Sequence, residues 1–177
     1  QTCALPIFHL YKLAFFHKSV APELKDGKKA SNERLEFLGD AVLDAVIAEF
    51  LFKKFPFEDE GFLTEMRSKI VSRKNLNRLA NKMGLENFIK SDNRGNLRNN
   101  SIMGDALEAM IGAIYLDKGF ERTQKFILVQ LLNNHIDVEE LLKQEVNFKS
   151  RLIEWVQKER KTLRFEVVAE EIGRAHV

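Results

Sequence analysis

The sequence has little cysteine and no long uncharged hydrophobic run, and both absences narrow the class of protein. Its 177 residues contain one cysteine, Cys3, which excludes a disulfide framework and fits a reducing compartment. Asp44 and Glu49 interrupt the most apolar stretch, AVLDAVIAEFLF (41 to 52), so no segment reaches the roughly 18 uncharged apolar residues of a membrane span. A secretion signal is not recognisable at the amino-terminal end. We therefore expect a cytoplasmic protein with no membrane partner.

An excess of charge of one sign is also missing. The 28 lysine and arginine residues face 26 aspartate and glutamate residues, a net charge of +2, so composition alone does not indicate a nucleic-acid partner. The 45% hydrophobic content excludes a largely disordered chain. The length suits one full core and part of a second domain.

The two ends carry a pattern that is unrelated to folding. TCALPI (2 to 7) and IGRAHV (172 to 177) can be encoded by DNA strings that are reverse complements along nearly their whole length. They resemble one sequencing adapter translated at both ends of a fragment, and the alternative is coincidence. We interpret residues 1–7 and 172–177 as non-biological and leave them out of the fold prediction.

From His9 to Leu116 apolar residues recur at three- and four-residue spacing, which predicts helices separated by turn-rich pieces. A further helix is expected from Glu121 to about Asn133. No strand-like alternation occurs in this part, so we predict an all-α fold. The predicted helical segments are HLYKLAFFHKS, NERLEFLGDAVLDAVIAEFLFKKF, FLTEMRSKIVSRKNLNRLANKMGL and IMGDALEAMIGAIYLDKG.

Polar residues and glycines mark several helix ends. Ser31 or Asn32 is expected to cap the free amides of the second segment, where Glu33 suits the positive end of the helix dipole. Gly84 and Gly119 follow basic last turns and are expected to end helices as C-caps.

After Gln144 the pattern changes. NFKSRLIEWVQKER (147 to 160) predicts an amphipathic helix, and LRFEVVAEE (163 to 171) predicts a strand that begins at about Arg164. One helix and one strand cannot bury their own apolar faces. Residues 147–171 are therefore expected to be a fragment of a second domain or to pack on the first.

Carboxylates lie on one side of an otherwise apolar helix in NERLEFLGDAVL (32 to 43). At about 100° per residue, Glu33, Glu36 and Asp40 fall within roughly 60° of one another, and Asp44 continues the stripe. The remaining surface of this helix is so apolar that we expect it to be buried nearly all round.

A second acidic pair, Asp105 and Glu108, lies one helical turn apart in GDALEAMIGAIYL (104 to 116). Gly104 and Gly112 flank the pair. A glycine inside a helix costs about 1 kcal/mol relative to alanine, so these two indicate close backbone packing near the acids.

Both acidic groups together would place four or more carboxylates in one cleft, which divalent cations would have to neutralise. Oxygen-only ligands suit magnesium, manganese or calcium. The four histidines are distant from these acids in sequence, which disfavours a di-iron bundle or a carboxylate metal-storage protein. The residues alone leave open that these acids form ordinary solvated helix faces, and Asp44, Glu49 and Asp117 are interpreted in that way.

NERLEFLGDAVL and the downstream GDALEAMIGAIYLD resemble the ribonuclease III family of double-stranded RNA endonucleases. The resemblance covers about residues 8 to 146, with both motifs in the family's order and separation. AFFHKS (14 to 19) and FPFEDEG (55 to 61) match related segments, although Phe16 stands where the family often has threonine or a charged residue. The resemblance implies an all-helical nuclease domain that forms a homodimer and binds double-stranded RNA across both active centres.

The resemblance also implies roles for individual residues. The family's metal-binding acids are matched by Glu36, Asp40, Asp105 and Glu108. Asp40 and Glu108 would be catalytic, with Mg²⁺ as the cofactor and Mn²⁺ as a substitute. Glu33 and Glu60 match further acids of the same cleft. Phe37 matches the aromatic residue that inserts into a socket of the partner subunit.

The expected reaction is metal-dependent hydrolysis of phosphodiester bonds in double-stranded RNA, leaving 5′ phosphate and 3′ hydroxyl, in rRNA and mRNA processing. Residues 147–171 resemble the first helix and strand of a double-stranded RNA-binding domain. In that helix Ser150, Glu154 and Gln157 match residues that touch the minor groove, while Ile153 stands where glutamine is common. The rest of such a domain is missing from this sequence.

A catalytically silent RNA-binding or dimerisation relative of the same fold is the alternative function. Such a relative would be expected to lose at least one of the four metal-binding acids, and all four are present. His17 and Lys18 are interpreted as structural. The basic pieces RSK (67 to 69) and SRK (72 to 74) either contact phosphates or form a solvated helix face.

Overall fold

A computed structural model describes residues 7–23, 27, 29–92, 101–133, 152 and 155–164 of this chain. The helices are α1 Ile7–Ala14, α2 Glu33–Lys54, α3 Glu60–Ile70, α4 Arg73–Lys82 and α5 Ile102–Phe126, with a 3-10 turn at Leu85–Asn87 and a π-helical turn at Ile127–Asn133. Among these described residues, β pairing is limited to two isolated bridges. The all-α prediction is confirmed for this part. No helix of the described ranges is long and apolar enough to cross a membrane.

The chain divides into two compact units, residues 1–142 and 143–177. All the helices named above lie in the first unit. In the second, residues 155–158 are helical, and Lys161 N donates to Val156 O at 2.8 Å where the helix closes. Val156 is buried and Trp155 is half exposed. The predicted strand after Arg164 and the ends 1–6 and 172–177 lie outside the described residues, whereas Ile7 begins α1.

The core of the first unit lies between α2 and α5, with α3 and α4 packed beside them. Its fully buried side chains recur every four residues along both long helices, which is the spacing of one helix face. On α2 and α5 these residues are Leu43, Ile47, Leu51, Met103, Leu107 and Ile111.

Two glycines set the distance between α2 and α5. A Cβ atom on Gly39 would lie 1.8 Å from the carbonyl oxygen of Glu108, and one on Gly112 would lie 2.3 Å from the carbonyl oxygen of Leu35. No larger residue fits at either crossing point, because atoms cannot approach so closely. The predicted close packing at Gly112 is confirmed, and Gly39 is its counterpart on α2.

The start of α2 differs from the prediction. Asn32 precedes the helix in the αR conformation and its side chain makes no capping hydrogen bond. A capping side chain needs an extended backbone to reach the first amides. Asn32 is instead buried, and its backbone N–H donates to Phe16 O at 2.9 Å. Ser31 Oγ donates to Glu33 Oε2 at 3.1 Å. The capping prediction for Ser31 or Asn32 was therefore wrong.

The predicted glycine ends are confirmed. Gly84 has φ of 71° and follows α4, and Gly119 has φ of 74° and breaks the helical conformation inside Ile102–Phe126. The segment predicted as one helix from Phe62 onward is in fact two. It divides at Val71 and Ser72, where Ser72 Oγ accepts a hydrogen bond from Asn75 N at 3.4 Å.

Candidate metal centre

A cavity of about 560 Å³ opens beside the crossing of α2 and α5. Five of the six acids predicted for the site line it: Glu33, Glu36, Asp40, Asp105 and Glu108. The first turn of α4 and the turn after α1 complete its rim, and they contribute Arg73, His17 and Lys18. The structure therefore brings both acidic sequence groups into one cavity.

Glu36, Asp105 and Glu108 form the tightest group in this cavity. Each contributes one carboxylate oxygen, and these oxygens lie within 4.8 Å of one another. Glu36 comes from α2, three residues before Gly39, while Asp105 and Glu108 are one turn apart on α5. Because Gly39 packs against the Glu108 backbone, the two helices bring the carboxylates together.

Among the acids of the cavity, Glu108 has the most strongly raised pKa. Burial, followed by the charges of Asp40, Asp105 and Glu36, raises the pKa of Glu108 from 4.5 to about 8. Burial and the charge of Asp105 also raise the pKa of Glu36. Among the described residues, no lysine or arginine forms an ion pair with either side chain. The cluster therefore carries negative charge that the described residues leave without a direct counter-ion.

Asp40 lies one turn after Glu36 and is more exposed. Its carboxylate is outside the group of three oxygens, but its charge is the second cause of the raised pKa of Glu108. Burial and the neighbouring Asp44 raise the pKa of Asp40 itself. Asp40, at the mouth of the cavity, thus influences the pKa of Glu108 through its negative charge.

Glu33 has a different environment from the other acids. Its Oε1 accepts from Lys18 Nζ at 3.2 Å, and its Oε2 accepts from Ser31 Oγ at 3.1 Å. These hydrogen bonds lower the pKa of Glu33, so it stays ionised and paired at the rim. Lys18 was interpreted as structural, and no local signal pairs it with Glu33, because the contact joins a turn to a helix 15 residues away.

The structure does not bring Glu60 to this cavity. Glu60 opens α3, is exposed, and accepts a hydrogen bond from Thr64 Oγ1 at 2.9 Å. Its assignment as a cleft acid stays a prediction. Of the acids interpreted as ordinary surface groups, Glu49 pairs with Lys53 and accepts from Gln124 Nε2 at 2.6 Å, as a surface acid does.

Phe37 lines the cavity and is 81% exposed. It begins an exposed stripe at helical spacing along α2, made of Phe37, Ala41, Ala45, Ala48 and Phe52. The prediction that α2 is buried nearly all round was wrong for this stripe. The described helices of the chain pack on the other faces of α2, and apolar composition alone does not reveal which face lacks a neighbour.

The residues predicted to bind RNA lie in the second unit. Gln157 is exposed. Ser150 and Glu154 lie outside the described residues. Their assignment remains a prediction.

The chain is similar to known proteins over most of its length. The family model described as Ribonuclease-III-like matches residues 8–135. Ribonuclease 3 of Bacteroides thetaiotaomicron is 47% identical over 159 residues, which cover 90% of this chain and 51% of that protein. Ribonuclease 3 of Bacteroides fragilis is 45% identical over 165 residues, covering 93% of this chain and 57% of that protein. The chain thus spans about half the length of the curated relatives it matches.

Solved structures give the same assignment. The nuclease domain of ribonuclease III from Campylobacter jejuni matches with a TM-score of 0.64 and 42% identity, covering 72% of this chain and 88% of that one. Dicer from Pichia stipitis matches with a TM-score of 0.53 and 29% identity, covering 68% of this chain and 51% of that one. The helical fold, the order of the two acidic motifs and these matches together establish that the chain belongs to the ribonuclease-III-like family.

Proposed function

We propose that this chain is the nuclease part of an endoribonuclease that cuts double-stranded RNA with the help of a divalent metal ion. The observation that carries this proposal is the meeting of Glu36, Asp105 and Glu108, whose oxygens lie within 4.8 Å of one another. The relatives named Ribonuclease 3 support the same reaction.

The donor set fits a hard divalent cation. Carboxylate oxygens are the ligands of Mg²⁺ and Mn²⁺, and no cysteine or histidine belongs to the described cluster. Burial first, and then the charges of Asp40, Asp105 and Glu36, raise the pKa of Glu108 to about 8, so a negative charge on Glu108 is unfavourable without a cation. A bound cation would stabilise that charge. We propose Mg²⁺ as the physiological ion, with Mn²⁺ as a substitute.

Glu36, Asp105 and Glu108 would hold the ion, and Asp40, the fourth acid predicted to bind it, would add its carboxylate at the mouth of the cavity. A bound Mg²⁺ supplies polarisation of the phosphate, a more acidic water and charge stabilisation on the leaving oxygen. Glu108 must release its proton to become a ligand. Asp40, which is more exposed than Glu36 and Glu108, would accept a proton from water in the cavity. The expected products carry 5′ phosphate and 3′ hydroxyl.

The partner RNA would approach over the mouth of the cavity. Lys18 and Arg73 lie on that rim as cations beside the acids, which suits contact with phosphates flanking the cut. Recognition would rest on A-form shape and 2′-hydroxyl groups more than on base sequence. We place the activity in rRNA and mRNA processing, and the scarcity of cysteine supports the cytoplasm.

We propose a homodimer that uses the exposed stripe of α2. Phe37 is the large side chain at its cavity end, and the small residues Ala41, Ala45 and Ala48 let another helix approach closely. The nuclease domain of Campylobacter jejuni ribonuclease III has a structurally flexible region that is involved in dimer formation of that protein. A dimer would place two cavities on one RNA duplex and cut both strands.

The test is cleavage of a long RNA duplex by the full chain, with Mg²⁺ and with a chelator. We expect short fragments with 5′ phosphate in Mg²⁺ and intact duplex in chelator. Glu108→Gln should lower the cleavage rate by at least about 100-fold, as expected when a group that stabilises transition-state charge is lost, while duplex binding in a gel-shift assay remains.

Glu121→Gln is the matched control, because Glu121 is exposed beyond the Gly119 break and outside the cavity. Its cleavage rate should equal that of the unchanged chain. Binding of the duplex without cleavage in Mg²⁺ or Mn²⁺ would favour the catalytically silent alternative.

A further inference from the structure

The start of α5 has an unusual hydrogen-bond arrangement. Ser101 occupies the capping position before the helix, yet its side chain makes no capping bond to the backbone amides. Its Oγ instead donates to Asp105 Oδ2 at 2.9 Å. The Ser101 hydroxyl, which at this position would normally cap the helix, is therefore hydrogen-bonded to a carboxylate oxygen of the acidic cluster.

Asn77 caps the start of α5 in place of Ser101. The first amides of any helix lack partners within the helix. Gly104 N, in the first turn of α5, donates to Asn77 Oδ1 at 2.7 Å, and Asn77 comes from α4. A Cβ on Gly104 would lie 3.2 Å from Asn77 Oδ1 and 3.2 Å from Leu76 Cβ. The glycine thus lets α4 approach closely enough for this bond.

Both contacts act on the turn of α5 that carries Asp105. Asn77 fixes the amide of the residue just before Asp105, and Ser101 fixes one oxygen of its carboxylate. Without such contacts, like-charge repulsion from Glu36 and Glu108 would turn the Asp105 side chain away from the cluster. A neutral hydroxyl donor opposes that rotation and leaves the negative charge in place.

We propose that Ser101 and Asn77 are positioning residues that hold Asp105 ready for the divalent ion, with Asn77 capping α5 from a neighbouring helix so that the Ser101 hydroxyl is available. The inference rests on the proposed metal-dependent function and deepens it. Groups that orient metal ligands typically change metal affinity by about 10- to 100-fold when they are removed.

The test is Mn²⁺ binding to the full chain, measured by calorimetry and by the signal of free Mn²⁺ in electron paramagnetic resonance. Ser101→Ala is expected to weaken binding by about 10-fold. Ser101→Thr keeps the hydroxyl and should bind close to the level of the unchanged chain. Asn77→Ala should weaken binding in the same direction, and Asn77→Asp, which keeps an acceptor for Gly104, should not.

Two exposed residues give matched controls, Ser68→Ala on α3 and Asn81→Ala on α4, the same helix as Asn77. Both should bind Mn²⁺ as the unchanged chain does. The inference is overturned if Ser101→Ala binds normally, or if Ser101→Thr is as weak as Ser101→Ala, and these two variants decide it even if Asn77→Ala does not fold.

Mn²⁺ binding and RNA cleavage by the unchanged chain distinguish a failure of the positioning role from a failure of the nuclease function. If it binds Mn²⁺ but does not cut RNA duplex, the nuclease function fails while weakened binding in Ser101→Ala still supports the positioning role. If it binds no Mn²⁺, the positioning role is overturned together with the metal site.

Discussion

The hydroxyl of Tyr11 donates a 2.8 Å hydrogen bond to Asp117 Oδ2 and so joins α1 to α5. The Asp117 side chain is only 3% exposed, and Lys118 Nζ lies 3.1 Å from the same oxygen. Burial, followed by this hydrogen bond, raises the pKa of Tyr11 to about 12. The interpretation of Asp117 as an ordinary surface acid was therefore wrong, because its role is to anchor α1.

Tyr11→Phe removes the hydroxyl and leaves a buried carboxylate oxygen with one donor fewer. We expect a lower midpoint of thermal unfolding, because a hydrogen bond to a charged group is lost. Thermal unfolding followed by circular dichroism measures the change. Metal affinity should be unaffected, since Asp117 lies outside the cavity. An unchanged midpoint would show that the bond does not stabilise the fold.

Gly39→Ala should separate α2 from α5. The new methyl group would start 1.8 Å from Glu108 O, so the helices must move, at a cost of about 1 to 3 kcal/mol or more. The same movement pulls Glu36 away from Glu108, so Mn²⁺ affinity should fall together with the unfolding midpoint.

Gly61→Ala provides the matched control. Gly61 is in the first turn of α3, where a methyl group would meet only Asp59 Oδ1 at 3.4 Å. This change should stabilise the fold by about 0.4 to 1 kcal/mol. A stable Gly39→Ala protein with normal metal affinity would contradict the crossing geometry.

The raised pKa of Glu108 predicts how stability depends on pH in the absence of metal. Its pKa is 4.5 in the unfolded chain and about 8 in the fold, so between these values the folded state holds a proton that the unfolded state has released. Relative to the fold with Glu108 ionised, protonation of Glu108 stabilises the folded state. This stabilisation is complete below about pH 4.5 and is lost as the pH rises through about 8. Glutamine at position 108 does not ionise, so Glu108→Gln should keep its stability as the pH rises.

The unfolding midpoint of Glu108→Gln should therefore exceed that of the unchanged chain at pH 8 to 9, and the two should converge near pH 5. Because Glu108 is partly exposed to water, we expect only about 1 to 2 kcal/mol, or roughly 2 to 8 °C. Saturating Mg²⁺ should reverse the order, since the ion stabilises only the unchanged site. Parallel pH profiles without metal would contradict the raised pKa of Glu108.

Phe37→Ala should weaken the proposed dimer without unfolding the chain. The side chain is 81% exposed, so its loss removes little from the core of one subunit. A central aromatic anchor contributes about 2 kcal/mol or more to an interface, which is roughly a 30-fold change in the dissociation constant. Sedimentation velocity at several concentrations measures the change. Phe8 on α1 is 70% exposed, and Phe8→Ala is the control that should leave the proportion of dimer unchanged.

The sequence was sufficient to predict the helical class and the grouping of the acids. Turn spacing placed Glu36 with Asp40 and Asp105 with Glu108, and Gly112 indicated the close packing that joins them. Each of these signals lies within a single helix, so residue spacing along the sequence is enough to detect it. The helix break at Gly119 was predictable for the same reason, because a left-handed residue after a basic turn is a local signal.

The features that were missed depend on contacts distant in sequence. Lys18 pairs with Glu33 only because the turn after α1 lies against the start of α2. The side chain of Asn32 does not cap α2 because the backbone there is held by Phe16 O. The break between α3 and α4 at Val71 contains neither glycine nor proline, so the helical pattern runs through it without interruption.

The turn that carries Lys18 is fixed by main-chain atoms. Lys90 N donates to Phe15 O at 2.8 Å, His17 N donates to Lys90 O at 3.1 Å, and Asn32 N donates to Phe16 O at 2.9 Å. Since none of these bonds uses a side chain, residue 16 can vary in identity while the backbone beside the cavity keeps its course. The half-buried Phe16 thus leaves the course of the backbone to its main-chain partners, and these hold His17 and Lys18 at the rim of the cavity.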